Sequence, residues 1–131
     1  MSEQVDAAKQ LYDAMAARDV EGLFDAMHEE FVGTVSDGMP LGVGGRHVGR
    51  DRMVQDVWAK IFGAFDTCPR VARYIETGGP EVVAIGRYVG TARETGRPLD
   101  AAFAHVLSIR DGRVASLEQI TDTQRWLDAA A

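Results

Sequence analysis

A single cysteine, no long apolar run and no excess of positive charge set the outer limits on this 131-residue chain. Cys68 alone rules out a disulfide framework within the chain and argues against a cysteine-based metal site. No uninterrupted apolar stretch approaches the roughly 18–20 residues that a membrane helix needs, so no transmembrane helix is predicted. The opening MSEQVDAAKQ lacks a basic segment followed by an apolar one. No signal peptide is therefore predicted, and the expected compartment is the cytoplasm. Fourteen Lys and Arg stand against 20 Asp and Glu, a net charge of −6 with no basic stripe. Nucleic acid and membrane surfaces are thus not expected partners. With 46% hydrophobic and 26% charged residues, the chain has the means to build a packed core, and one domain over residues 1–131 is expected.

Ser2 is placed to cap a first helix in which Val5, Ala8, Leu11, Tyr12 and Met15 recur at three-and-four spacing. Asp19 can cap a short second helix through Leu23, Phe24 and Met27. Phe31 to Val35 reads as a short strand, and the glycine-rich stretch from Asp37 to Gly49 as a loop. A third helix is predicted from Asp51 to Phe65, with Val54, Val57, Trp58, Ile61 and Phe62 on one wide apolar face. The period then changes to two, giving strands at Arg70–Thr77, Val82–Arg93, Leu99–Arg110 and Arg113–Thr121. A last short helix starts at Asp122 or Thr123. Helices followed by an antiparallel meander make an α+β fold, in which a curved sheet with helices across its open face encloses a cone. Such a cone suits a small apolar ligand.

Asp111-Gly112 is a strong signal for a two-residue turn that pairs Arg110 with Arg113. Counting outwards from it, His105 opposes Glu118, Phe103 opposes Ile120, and Ala101 opposes Asp122. One face then carries Phe103, His105, Leu107, Ile109, Val114, Glu118, Ile120 and Asp122. The other carries Ala102, Ala104, Val106, Ser108, Ala115, Leu117, Gln119 and Thr121. The first set is bulkier and suits the inside of the cone, and the second is small enough to meet a partner sheet. A bulge would shift the register by one and reverse the opposition.

Asp122 in an apolar cavity would be a general base with its pKa raised by burial, and its alternative is a helix cap. His105 would donate a hydrogen bond to a developing oxyanion, relay protons or orient the Asp, against a place as a satisfied core histidine. Tyr12 is a phenol donor into the cone or a packing residue. Trp58, Phe62, Phe103 and Ile120 are candidate cavity walls, and Glu118 a candidate site residue or a rim ion pair. GVGGRHVG lacks the companions of a phosphate loop and reads as a pocket lip. His28 and His47 lack ligand spacing, so no metal site is expected.

LYDAMAARDVEGLFDAM, GGRHVGRDRMVQDVW, VVAIGRYVGTARETGRPL and AHVLSIRDGRVASLEQITDT together make the chain resemble the SnoaL-like branch of the NTF2-like superfamily along nearly its whole length. The resemblance implies a cone-shaped α+β barrel, a homodimer formed through the sheet, and no metal or organic cofactor. For polyketide cyclases of this type it implies an acid/base Asp near the end of the last strand and a His on the strand before, matching Asp122 and His105. The ketosteroid isomerases of the same scaffold carry a first-helix tyrosine that matches Tyr12. Their base position falls at Val35 or Ser36, one or two places from Asp37, which counts against that mechanism. An epoxide-hydrolase-like reading would need an Arg such as Arg87 or Arg73 to point inward. The expected function is a cofactor-independent cyclase or isomerase for a hydrophobic, carbonyl-bearing and polyketide-like molecule. The alternatives are a non-catalytic small-molecule-binding protein, an epoxide hydrolase, or a dimer domain whose cavity its own side chains fill.

Overall fold

The computed structural model describes residues 2–131. Helix α1 (Glu3–Ala17) begins where predicted: the Ser2 hydroxyl accepts a hydrogen bond from the Val5 amide at 3.0 Å. Val5, Ala8, Leu11, Tyr12 and Met15 form its buried stripe. The helix stops at Arg18, whose backbone takes the left-handed conformation, φ 55°. Asp19 then caps α2 (Val20–Ala26) by accepting from the Gly22 amide at 2.9 Å.

Strand β1 (Met27–Val35) starts four residues earlier than the periodicity implied, so Met27 belongs to the sheet rather than to the second helix. Within the glycine-rich segment, β2 (Gly45–Val48) pairs antiparallel with β1. It has no hydrophobic alternation to announce it, and its pairing with β1 defines it. The third helix (50–64) is continuous but not uniform. Arg50–Arg52 is α-helical, Met53–Trp58 is π-helical, and Ala59–Ala64 is α-helical again. Among the described residues, no helix is long and apolar enough to cross a membrane.

Phe65, read as the end of that helix, instead opens β3 (Phe65–Glu76). Pro69 lies inside this strand, one residue before the start read from the sequence at Arg70. It is tolerated because β3 is an edge strand. Strands β4 (Glu81–Ala92), β5 (Pro98–Arg110) and β6 (Arg113–Thr121) follow, and a last helix (Thr123–Ala130) ends the chain. The six-stranded sheet runs β2-β1-β6-β5-β4-β3, antiparallel except for the β1–β6 pair. Its curved inner face packs beneath α1, which lies across β3, β4, β5 and β6. The last helix inserts Trp126, fully buried, against Phe65 and Tyr88 at centroid distances of 5.0 and 4.9 Å.

The β5–β6 hairpin departs from the simple register. Asp111 and Gly112 both have positive φ (55° and 72°), as the predicted turn requires, and Arg110 pairs with Arg113 and Ile109 with Val114. Ser108 then pairs with Ser116, so Ala115 is an extra residue in a bulge. From there Leu107 faces Leu117, His105 faces Gln119, and Phe103 faces Thr121. The cause is a conflict of parity. Val114 and Leu117 are both buried, at 0% and 2% exposure, yet residues three apart on a regular strand point to opposite faces. The bulge buries both.

Candidate functional site

The bulge rearranges the expected constellation. Glu118 and Ile120, placed inside by simple counting, stand on the outer face and are exposed, Ile120 by 54%. Neither therefore lines the interior. Asp122 follows them outward. Its carboxylate is half exposed and lies 3.9 Å from the Arg125 side chain. It holds the cap position of the last helix without making a side-chain capping bond. Gln119, counted on the outer face, is instead buried beside His105. On β5 the predicted facing stands: Phe103, His105 and Leu107 are all buried.

At the centre of the inner face, His105 is held between two phenols. Tyr12 Oη lies 2.7 Å from its Nδ1 and Tyr88 Oη 3.3 Å from its Nε2. Three elements supply the three groups, and their placement follows from local rules. Tyr12 sits on the buried stripe of α1. His105 and Tyr88 sit on inward positions of adjacent strands, where Ala84 pairs with His105 and Ala101 with Tyr88. Phe103 stacks on the imidazole with centroids 4.2 Å apart, and Tyr12 lies nearly parallel to it at 5.8 Å. Sequence reasoning passed over Tyr88. The signal was the inward run of Val82, Ala84, Gly86 and Tyr88, readable only once β4 had been registered against β5.

Burial sets the charge state of this chain. It pushes His105 down to about 3, so the imidazole is neutral at neutral pH. Burial pushes both Tyr12 and Tyr88 well above the ordinary phenol range, so both remain protonated. A neutral imidazole has one donor and one acceptor nitrogen, which matches a phenol on each side.

His105 is 1% exposed: Tyr12, Tyr88 and Phe103 pack around it, and Trp126 packs on Tyr88. An apolar pocket lies against the adjoining turn of α1. It has a volume of about 160 Å³, and its lining includes Met15, Leu23, Val54, Trp58 and Phe62, with Arg18 its one charged lining residue. Trp58 and Phe62 line this pocket, while Phe103 lies deeper, in contact with His105 and Tyr88. Four larger hollows among the described residues, of about 250 to 500 Å³, are surface depressions carrying charged residues such as Asp100, Lys60, Glu76 and Asp19. The inward Arg of the epoxide-hydrolase-like reading is not provided by Arg87, which pairs with Asp100 at 2.6 Å with both side chains about half exposed. At the isomerase base positions, Val35 is buried, Ser36 donates to the Gln119 carbonyl at 2.9 Å, and Asp37 is exposed. Among the described residues there is no group of three or more His, Cys, Asp or Glu arranged to hold a metal ion.

Comparison with known proteins places this geometry in context. No curated protein matches the chain. Among solved structures, an NTF2-like protein of unknown function from Burkholderia pseudomallei is similar over 100% of this chain and 99% of its own, at 26% identity and a TM-score of 0.89. TerC, co-crystallised with polyporic acid, is similar over 98% of both chains at 24% identity and a TM-score of 0.88. IdmH from Streptomyces antibioticus, a proposed polyketide cyclase, is similar over 98% of both chains at 22% identity and a TM-score of 0.81. The model of the SnoaL-like domain matches residues 8–117, most of the chain. The helices, the curved sheet and the family match agree, and this chain belongs to the SnoaL-like family, on the NTF2-like fold.

Proposed function

We propose that this protein binds a hydrophobic, carbonyl-bearing small molecule of about one ring in size and promotes loss of a proton from the carbon next to the carbonyl, without a cofactor. The observation that carries this reading is the buried Tyr88–His105–Tyr12 chain. In the tautomer with the proton on Nδ1, Tyr88 donates to Nε2 and the Nδ1–H donates to the Tyr12 oxygen. The Tyr12 hydroxyl proton is then uncommitted, and a ligand oxygen from the adjoining pocket takes it by displacing the side chains packed around it, since Tyr12 is 6% exposed and does not line that pocket. Each bond in such a chain polarises the next, so the phenol becomes a stronger donor to an oxygen that gains negative charge. His105, at about 3, is too weak a base for neutral pH and serves as a neutral relay. Asp122, the base expected from the sequence, faces solvent here. The chain's own contribution is therefore oxyanion stabilisation, with solvent accepting the proton. Met15, in the pocket lining, is three residues from Tyr12 on the same helix face. The pocket's volume of about 160 Å³ favours a single ring over a larger polyketide-like substrate. The co-crystallisation of TerC with polyporic acid and the proposed cyclase role of IdmH support a carbonyl-bearing ligand.

A second reading, ligand binding without turnover, is favoured by the exposure of Asp122. Deuterium exchange at the benzylic carbon of phenylacetone in D2O, followed by proton NMR, separates the two. Turnover predicts accelerated exchange that falls by about 10²-fold in Tyr12→Phe, the usual cost of an oxyanion donor. Binding with no acceleration over buffer would overturn it in favour of the second reading.

The assembly proposed alongside is a homodimer through the outer face of the sheet. There Ile75, Val83 and Val106 form one cross-strand row, and Ile85, Ala104 and Ile120 another.

A further inference from the structure

Arg18 combines three features. Its backbone is left-handed, φ 55°, at the residue just after α1, where glycine is the usual occupant because a side chain there is strained. Its guanidinium lies 4.3 Å from the centroid of the Phe62 ring and donates one hydrogen bond, to the Thr67 carbonyl at 2.8 Å. Among the described residues, no carboxylate lies within ion-pair distance of it. A guanidinium has five N–H donors, and a fork of this kind matches a carboxylate through two parallel bonds.

The pocket beside it is equally unusual in its backbone. Val54 and Trp58 reach it from the π-helical stretch Met53–Trp58. π-Helical turns are rare and occur frequently at functional sites. A strained residue at one wall and a π-helical turn at the other are costs that ordinary packing does not require. A cavity of about 150 Å³ with apolar walls is known to accept benzene, so about 160 Å³ admits one aromatic ring. Trp58 and Phe62 present aromatic surface to it.

We propose that Arg18 is the specificity-determining residue of this pocket and that its natural ligand carries, besides the carbonyl, an anionic group on a one-ring aromatic body. The ring enters among Met15, Leu23, Val54 and Trp58, and the anionic oxygens meet the free edge of the Arg18 guanidinium while Phe62 supports that group from behind. The inference rests on the reading of this pocket as the ligand site and is independent of the Tyr12 proton chain.

Protein labelled with 13C at the methionine methyls is titrated with phenylacetate and with phenylacetamide, its neutral counterpart. The Met15 methyl reports on the pocket. Phenylacetate is expected to shift it and to bind about tenfold more tightly than the amide, a ratio in keeping with one charge-assisted contact at an exposed edge. Arg18→Gly relieves the left-handed strain and so retains the fold. It is expected to bind acid and amide equally, and Arg18→Lys to restore part of the preference. Equal binding by the wild type, a Met15 signal unmoved by either compound, or a preference that survives in Arg18→Gly would each overturn the proposal. A preference for the acid with no exchange of phenylacetone would remove turnover and leave the anion site standing.

Discussion

Acidification is the perturbation that bears most directly on the buried imidazole. His105 is held at about 3 in the folded chain and returns to the ordinary histidine value of about 6.5 on unfolding. The unfolded state therefore binds more protons across the window between those values, and stability falls as pH drops through it. The native state is at full strength from this group above pH 6.5, loses about 1.4 kcal/mol per pH unit below, and levels off near pH 3. Between pH 7.5 and pH 5.0 the loss comes to about 2 kcal/mol. To isolate this one group, wild type is compared with His105→Gln, which keeps a donor and an acceptor between the two phenols but does not ionise. Urea unfolding followed by tryptophan fluorescence gives the stability of both proteins at each pH. The variant is expected to be weaker at pH 7.5, and the gap should narrow by about 2 kcal/mol at pH 5.0. A gap constant to within about 0.5 kcal/mol would refute the buried neutral ring, and a gap that widens would mean that the protonated ring is the one the fold prefers.

The same chain should be strongly non-additive. His105→Leu leaves two buried hydroxyls without their partner, at about 1–3 kcal/mol each, whereas the triple variant with Tyr12→Phe and Tyr88→Phe removes the unpaired groups and should recover most of that loss in urea midpoints. A triple variant no more stable than His105→Leu alone would count against a connected network. For the outer face, sedimentation equilibrium at micromolar concentration should give a dimer for the wild type and a monomer for Ile120→Asp, since Ile120 is 54% exposed in the single chain. A monomeric wild type would dispose of the sheet-mediated dimer.

How far the sequence disclosed this molecule differs from place to place, for physical reasons. Caps and helix periods are local, so Ser2, Asp19 and the stripe from Val5 to Met15 appear as read. The Asp111-Gly112 turn was equally legible, because its left-handed backbone demands those residue types. What was not legible depends on pairing between distant segments. β2 exists because β1 lies beside it, and Pro69 is admitted because nothing pairs beyond β3. Tyr12 and His105 were read as inward-facing from their patterns, as they are, and Tyr88 was missed because no local rule orients it. Glu118, Ile120 and Asp122 were misplaced by a single residue of slip. Even that had a trace in the sequence: Val114 and Leu117 both need burial, and no regular strand satisfies them together.

The extra residue at Ala115 has an electrostatic consequence. Regular pairing would have set Glu118 across from His105, and a carboxylate enclosed beside an imidazole would hold the ring as a cation, giving a buried ion pair that opens and closes with pH. The bulge sets Gln119 there instead. An uncharged amide leaves the ring neutral, so proton order in the cone passes through hydroxyl and nitrogen alone. One unpaired alanine thus selects between a titrating switch and a fixed relay.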